Sequence, residues 1–138
     1  MDAARFDPGD FDDEPPGPGS YGGTITTARL RTSARGHRMV AVVVTLDGAP
    51  PGRDRVADHF VLEGATPRGL QVARWRLVAL YRACGVAPRD GDEIRPGALV
   101  GSRVAVTLEH EHRDGRTWAR VAGYRPLHGG LPDDEAPF

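Results

Sequence analysis

The sequence predicts a mostly β domain with one helix, a five-stranded OB-type Greek-key barrel whose helix lies between strands three and four. Five β-rich segments are separated by Gly, Asp and Pro turn signals, and one segment with helical periodicity follows the third of them. Three strands, a helix and two strands is the element order of this barrel. The pattern alone leaves other small α+β folds open.

Three β-rich segments precede the helix. Residues 21–32 alternate in two phases and break at 33–36, and residues 39–46 are dense in β-branched side chains up to a Gly- and Pro-rich turn at 47–52. Residues 55–63 alternate again until Gly64. These segments predict strands one to three, the second of them well buried.

A helix is predicted over residues 67–84. Thr66 precedes Pro67 as an N-cap followed by proline at the first helical position, and Gly85 supplies a stop. One face carries the apolar positions Leu70, Ala73, Leu77, Leu80, Tyr81 and Cys84. Trp75 is assigned to helix packing.

The last two strands form a hairpin in this prediction. Residues 103–109 alternate with valine and leucine inward, residues 110–116 form a charged turn around Asp114-Gly115, and residues 117–124 make the fifth strand. Pro126 then ends the ordered domain.

Charge is segregated along the chain. Residues 20–126 hold 17 of the 18 basic residues and 10 of the 19 acids, a net charge of +7, between flanks of −5 and −3. Every basic residue is arginine, whose guanidinium binds phosphate bidentately and stacks on base faces. A GC-rich genome would also favour arginine codons, but it does not explain why the acids lie in the flanks.

The flanks divide the chain into three parts. Residues 1–19 predict a disordered acidic arm rich in Pro and Gly, residues 20–126 one OB-type domain, and residues 127–138 a flexible acidic tail. The lone Cys84, the absence of a long apolar run and the acidic N-terminus predict a cytoplasmic protein without disulfides or membrane segment.

Single-stranded nucleic acids are bound by basic grooves and by aromatic side chains on which bases stack. The loops at 33–38 and 110–116 would flank the binding face of the barrel. The phosphate candidates in and near these loops are Arg29, Arg31, Arg35, Arg38, Arg113, Arg116 and Arg120. The stacking candidates are Trp118, Phe60 and Tyr124, although a core position is the commoner alternative for each ring. Trp118 is preferred because its neighbours Arg116 and Arg120 share its strand face.

Metal and catalytic chemistry are not predicted. His110 and His112 share one side of a strand, with His59, Asp58 or Cys84 as conceivable further ligands, but zinc needs three or four converging ligands. No acid–base pair and no phosphate-binding glycine loop stands out. We therefore expect neither a cofactor nor an enzyme, and a chelator-sensitive nuclease is the least favoured alternative.

The segment Asp133-Asp134-Glu135-Ala136-Pro137-Phe138 combines acids with a final Pro-Phe. It resembles the acidic C-terminal tip of bacterial single-stranded-DNA-binding proteins, with Ala136 in place of a larger apolar residue. The resemblance implies that Asp133, Asp134, Glu135, Pro137 and Phe138 recruit replication and repair proteins. A solubilising acidic terminus is the simpler alternative.

Residues 16–126 carry a second resemblance. Its motifs are Pro-Gly-Ser-Tyr before strand one, a helix with Leu77-x-x-Leu80-x-x-Ala83-Cys84-Gly85, then Leu99-Val100-Gly101-x-x-Val104 and Gly123-Tyr124-x-Pro126. In their order they resemble a family of small phage-encoded proteins considered to bind single-stranded DNA. The implied role is replication, recombination or repair in the cytoplasm of a bacterial host.

The resulting expectation is sequence-independent binding of single-stranded DNA by the domain, with partner recruitment by the tail. The alternative is a protein-interaction OB module or recombination mediator without strong DNA affinity of its own. The sequence does not determine whether the protein forms a homo-oligomer, how many nucleotides one binding site covers, or whether DNA is preferred over RNA.

Overall fold

The computed structural model describes residues 16–127. Five strands and one α-helix follow each other in the predicted order, and a short 3-10 turn spans Pro96–Leu99. The elements are β1 Gly19–Thr32, β2 Arg38–Leu46, β3 Arg55–Val61, α1 Pro67–Ala83, β4 Arg103–Arg113 and β5 Arg116–Pro126. The predicted arm and tail lie largely outside the described residues.

All five strands belong to one antiparallel sheet in the order β3-β2-β1-β4-β5. The predicted fold class is confirmed, including the position of α1 between β3 and β4. The ladder is not closed, because β3 and β5 are the two ends of the strand order. The molecule is therefore a partly open OB-type sheet.

The core lies between the inner sheet face and α1. β2 turns four alternate side chains inward, from Val40 to Leu46, and β4 contributes three. From α1 the side chains of Leu77, Leu80 and Tyr81 are buried against this face. The fully buried larger side chains are Phe60, Ile25, Leu80, Leu99, Leu108, Val40, Val42, Val44, Val104, Val106 and Val121.

A polar seam bridges β3 and β5 where backbone pairing stops. The carboxylate of Asp58 on β3 accepts hydrogen bonds from the Tyr124 hydroxyl on β5, at 2.7 Å, and from the Arg76 guanidinium on α1. Arg76 also lies over the Phe60 ring, 4.8 Å from its centroid. We call Asp58, Arg76, Tyr124 and Phe60 the seam, since they join three elements that the ladder leaves apart.

The helix begins and ends where its sequence signals predict. The Thr66 hydroxyl accepts a hydrogen bond from the backbone N–H of Gly69 at 3.0 Å, and the backbone turns at Cys84 and Gly85. Within the described residues, no helix is long and apolar enough to cross a membrane.

Candidate nucleic-acid interface

The β4–β5 hairpin is longer than the sequence predicted. Residues 110–113 were expected in a turn, but they continue β4 and pair with β5 from Arg116 onward. Only Asp114 and Gly115 form the turn, with φ of 52° and 73°. Two successive positive φ angles are typical of a type I′ turn, whose twist matches that of the paired strands. The pairing of β4 with β5 therefore continues beyond Leu108, the β4 residue that pairs with Gly19 at the start of β1.

Trp118 is the exposed aromatic of this hairpin. Its side chain is 43% exposed, and two guanidinium groups lie near its ring, Arg113 at 5.9 Å and Arg116 at 5.3 Å from the centroid. The three side chains share the outer face, because Arg113 pairs with Arg116 and Trp118 lies two residues further along β5. We call Arg113, Arg116 and Trp118 the hairpin cluster. It combines an exposed aromatic ring with two cations; the sequence had suggested Arg116 and Arg120 as the neighbours of Trp118.

Acids on β4 moderate the charge of the same face. Glu109 accepts a hydrogen bond from Arg120 at 2.9 Å, and Glu111 lies 3.7 Å from Arg113. Arg120, also predicted to bind phosphate, is thus already ion-paired, although its side chain is exposed. A phosphate would have to displace Glu109 to reach it.

Arg29 and Arg31 form a second cationic surface on β1. A bulge at Thr26 shifts the strand register, and from Thr27 onward alternate residues point outward. Arg29 then lies in a row with Ala41 and His59, and Arg31 in a row with Met39 and Val61. We call the outward positions of β1 from Thr27 onward, together with the β2 and β3 residues that pair in the same rows, the strand face. It has arginines on one side and small or apolar side chains in its middle.

The remaining two arginine candidates, Arg35 and Arg38, lie at the β1–β2 turn and differ in their contacts. Arg35 lies exposed at the tip of the turn, which is closed by a hydrogen bond from Ser33 N–H to the His37 carbonyl at 2.8 Å. Arg38 is held instead, since its backbone N–H and its guanidinium both bind the Glu63 carboxylate. These contacts, led by the backbone hydrogen bond, lower the pKa of Glu63.

His37 packs against the β3–α1 connection beside this ion pair. An added Cβ at Gly64 would overlap the His37 ring, and Gly64 has a φ of +78°. Glycine is required there both by the close approach and by the backbone conformation. The β1–β2 turn is therefore fixed to the start of the helical connection, which limits how far Arg35 and Arg38 can move.

The other two predicted stacking residues belong to the core. Phe60 is fully buried and Tyr124 is 8% exposed, and both are members of the seam. Burial, followed by the Asp58 carboxylate, raises the pKa of Tyr124 well above its ordinary value. Because neither ring presents a face to solvent, the structure corrects their assignment as stacking residues.

Trp75 is an aromatic surface residue that the sequence analysis missed. Its side chain is 55% exposed, and the Arg68 guanidinium lies 5.1 Å from the ring centroid. Val72 is also exposed, and the spacing of Arg68, Val72 and Trp75 places them on one face of α1. This spacing could have distinguished Trp75 from the packing face of Leu77. The assignment of Trp75 to helix packing was wrong.

The histidines of the hairpin have protein partners. His110 hydrogen-bonds the Pro16 carbonyl at 2.8 Å, and His112 hydrogen-bonds the Thr117 hydroxyl at 2.9 Å. Among residues 16–127, no group of three or more His, Cys, Asp and Glu side chains is placed to hold a metal ion. The contact of Pro16 also attaches the first described residues to the hairpin.

The predicted DNA-binding residues lie in two separate groups on the structure. Gly19 pairs with Leu108 next to the hairpin, whereas Thr32 at the other end of β1 leads into the β1–β2 turn. The hairpin cluster therefore lies beyond one end of β1, and Arg29, Arg31 and Arg35 lie toward the other. The tail candidates Asp133, Asp134, Glu135, Pro137 and Phe138 lie outside the described residues.

The open sheet of five strands, with its helix between β3 and β4, places the chain in the class of small OB-type β proteins. Within that class, the chain belongs to the family described as "Protein of unknown function (DUF669)", whose model matches residues 3–137. Among curated proteins, none matches the chain.

Proposed function

We propose that this protein binds single-stranded DNA without sequence preference and without catalysis, in DNA replication, recombination or repair. The observation that carries the proposal is the hairpin cluster, in which Trp118 is 43% exposed with Arg113 and Arg116 beside its ring. Stacking of one base on an aromatic side chain contributes about 1–3 kcal/mol. Every base has a π-face, so this contact is independent of sequence.

The strand face supports the same function through phosphate contacts. Arg29, Arg31 and Arg35 are exposed, and within residues 16–127 they form no ion pair. They are therefore available to phosphates without first breaking a salt bridge, in contrast to Arg38 and Arg120. Guanidinium groups bind phosphates bidentately, and such contacts position a strand without reading its bases.

Preference for single strands follows from the stacking contact. In a duplex the base faces are covered by their neighbours, and only the groove edges and phosphates are accessible. A ring such as Trp118 gains its stacking energy from a base that is free to leave its neighbours. Duplex DNA would meet the arginines alone, so we expect weaker binding to it.

Recruitment of replication and repair proteins is assigned to Asp133, Asp134, Glu135, Pro137 and Phe138. The support is chemical, since acidic side chains beside an aromatic residue suit a partner with a basic, apolar pocket. In this division of labour the domain binds DNA and the acidic segment binds protein. Substituting Phe138→Ala should abolish recruitment and leave DNA affinity equal or slightly higher.

The experiment is a titration of fluorescein-labelled oligo-dT with the full chain at several salt concentrations. With about four phosphates neutralised, log affinity should fall with log salt at a slope of roughly −3, from about −0.7 per phosphate on single strands. A duplex of equal length, in competition, should displace the oligo-dT poorly. Absence of binding at low salt, or equal competition by the duplex, would sink the proposal.

A protein-interaction module is the second candidate, and the exposed stripe of Arg68, Val72 and Trp75 on α1 favours it. Aromatic and arginine side chains are enriched at the centres of protein interfaces. Under this alternative the arginines would meet any polyanion. Heparin would then compete as well as oligo-dT, and substitution of Trp118 would not change either affinity.

A further inference from the structure

A cleft of about 330 Å³ lies between α1 and the loop that follows it, and the DNA-binding proposal does not use it. Leu77 and Val78 line it from the helix, and Ile94 from the loop. This volume is at the lower end of ligand sites, which span about 300–1,000 Å³. It can take one aromatic side chain rather than a large cofactor.

The two walls of the cleft are joined through Tyr81. The Tyr81 hydroxyl accepts a hydrogen bond from the Arg95 N–H at 3.1 Å, and the Tyr81 carbonyl accepts one from Val86 N–H at 2.9 Å. In the loop, the Arg89 N–H donates to the Asp92 carboxylate at 2.8 Å. These bonds hold the loop against the helix, so the cleft exists before anything enters it.

Three arginines and three acids line the cleft around its apolar floor. Arg74 and Arg82 lie on the same helix face as Val78, at spacings of four, and Arg89 faces them from the loop. Within the described residues, none of the three forms an ion pair. The three acids, Asp90, Asp92 and Glu93, lie on the loop side of the cleft, where Asp92 accepts a hydrogen bond from the Arg89 N–H and Glu93 pairs with Arg95 at 2.8 Å. The cleft thus offers the two cations Arg74 and Arg82 along its helix side, opposite a loop of mixed charge.

We infer that this cleft binds the acidic segment Asp133–Phe138 of the same chain, with the Phe138 ring on the floor and the acids against the arginines. The segment has the complementary chemistry, namely the three adjacent acids Asp133, Asp134 and Glu135 followed closely by an aromatic side chain. Charge complementarity fixes its orientation, since the ring must enter while the carboxylates stay at the rim.

The chain is long enough for this contact. Leu127 lies six residues after Val121, about 20 Å along a strand, and the Val121 carbonyl accepts a hydrogen bond from Arg76 at 3.5 Å. Arg76 directly precedes Leu77 of the cleft. Residues 128–138 can extend over about 36 Å at roughly 3.3 Å per residue. The segment is therefore long enough to reach the cleft within one molecule.

Docking would make the segment unavailable to other proteins until a partner competes for it. The cleft and the strand face are separate surfaces, so this contact does not require displacement of DNA. The inference stands whether or not the domain binds DNA, because it rests on the cleft, the charges and the reach alone.

Photo-cross-linking from position 138 tests the inference in the full chain. Phe138 is replaced by p-benzoylphenylalanine, the dilute protein is irradiated, and cross-linked peptides are located by mass spectrometry. We expect cross-links within one molecule to residues 74–94. Cross-links that join two molecules, or that fall on the strand face, would overturn the inference.

Matched charge variants of the photo-labelled chain identify the cations. Arg74→Gln with Arg82→Gln should lower the cross-link yield at least about fivefold, as expected for the loss of two partly screened ion pairs. Arg29→Gln with Arg31→Gln removes the same charge from the strand face and should leave the yield unchanged. An equal response of the two variants would contradict specific docking. All four arginines are exposed, so the fold should tolerate both pairs of substitutions.

Discussion

Arginine lies over an aromatic ring both in the seam and in the hairpin cluster, and the two regions differ in burial. Arg76 lies 4.8 Å from the Phe60 centroid, and Arg116 lies 5.3 Å from that of Trp118. Phe60 is fully buried and its arginine is also bound to Asp58, whereas Trp118 is 43% exposed. The same chemical pair therefore connects the two edge strands and the helix through side chains in one place, and lies exposed at the surface in the other.

The difference in burial indicates a stabilising role for the seam, and the proposed function places DNA binding at the hairpin cluster. In the seam, Arg76 and the Tyr124 hydroxyl both donate to the Asp58 carboxylate, and the Phe60 ring is buried beside them. In the hairpin cluster the Trp118 ring has two arginines beside it and stays 43% exposed. Substitutions in one region should therefore change unfolding, and substitutions in the other should change affinity.

The largest expected effect is the loss of Asp58. Asp58→Ala leaves Arg76 and the Tyr124 hydroxyl without their shared acceptor in a site where the Asp58 side chain is only 11% exposed. We expect a loss of about 3 kcal/mol in the free energy of unfolding, as for breaking a buried ion pair. Urea unfolding followed by circular dichroism measures it. Glu109→Ala is the matched control at the exposed Arg120 pair and should cost less than about 1 kcal/mol.

A smaller loss is expected for Tyr124→Phe, which removes only the hydroxyl. Asp58 keeps Arg76, so the free energy of unfolding should fall by about 1.5 kcal/mol, the usual range for a hydrogen bond to a charged group. Oligo-dT affinity, measured under conditions where the variant is folded, should not change. A weakened affinity would mean that the Tyr124 hydroxyl takes part in binding after all.

Substituting Arg29→Gln together with Arg31→Gln should change the salt dependence of DNA binding and leave unfolding unaffected. Two lost phosphate contacts should reduce the slope of log affinity against log salt by about 1.4. The titrations with oligo-dT provide the slope. An unchanged slope would remove the strand face from the proposed interface.

The smallest effect concerns Asp47, which joins the β2–β3 turn to Arg103 on β4. The Arg103 hydrogen bonds lower the pKa of Asp47 below its ordinary 3.8. A lowered folded-state pKa stabilises the fold above the unfolded-state pKa, and this stabilisation is lost as pH falls through the folded-state value. Because the pair is half exposed, Asp47→Asn should cost less than about 1 kcal/mol at pH 7.

The pH dependence provides the control for Asp47. Once the pH is below the folded-state pKa of Asp47, the native chain and Asp47→Asn should unfold with the same free energy. A difference that persists there would show that the variant acts through something other than charge.

Element order was predictable because strand alternation, helix periodicity and turn residues are local signals. The length of the hairpin was not, since residues 110–113 are polar and only their pairing with β5 places them in a strand. Local charge had indicated a turn there. The Asp114-Gly115 turn itself was visible in the sequence.

The site was predictable only in part, because burial depends on partners that are distant in sequence. Phe60, Tyr124 and Trp118 all lie in strands whose sequence alternates between apolar and polar residues. No local pattern tells which of these rings becomes buried in the folded domain. Arg76 and Asp58, which fix Phe60 and Tyr124 in the seam, are 18 residues apart. Ion pairs such as Arg38–Glu63, 25 residues apart, likewise decide which arginines are available.

The central claim is tested most directly by comparing Trp118→Ala with Trp75→Ala in oligo-dT titrations at one salt concentration. Both rings are exposed and both lie beside arginine, but only Trp118 belongs to the hairpin cluster. We predict that Trp118→Ala weakens binding by about 5- to 150-fold, the equivalent of about 1–3 kcal/mol, and that Trp75→Ala leaves affinity within about twofold. Equal affinities of the two variants, or no binding by the native chain, would contradict the assignment of DNA binding to this hairpin.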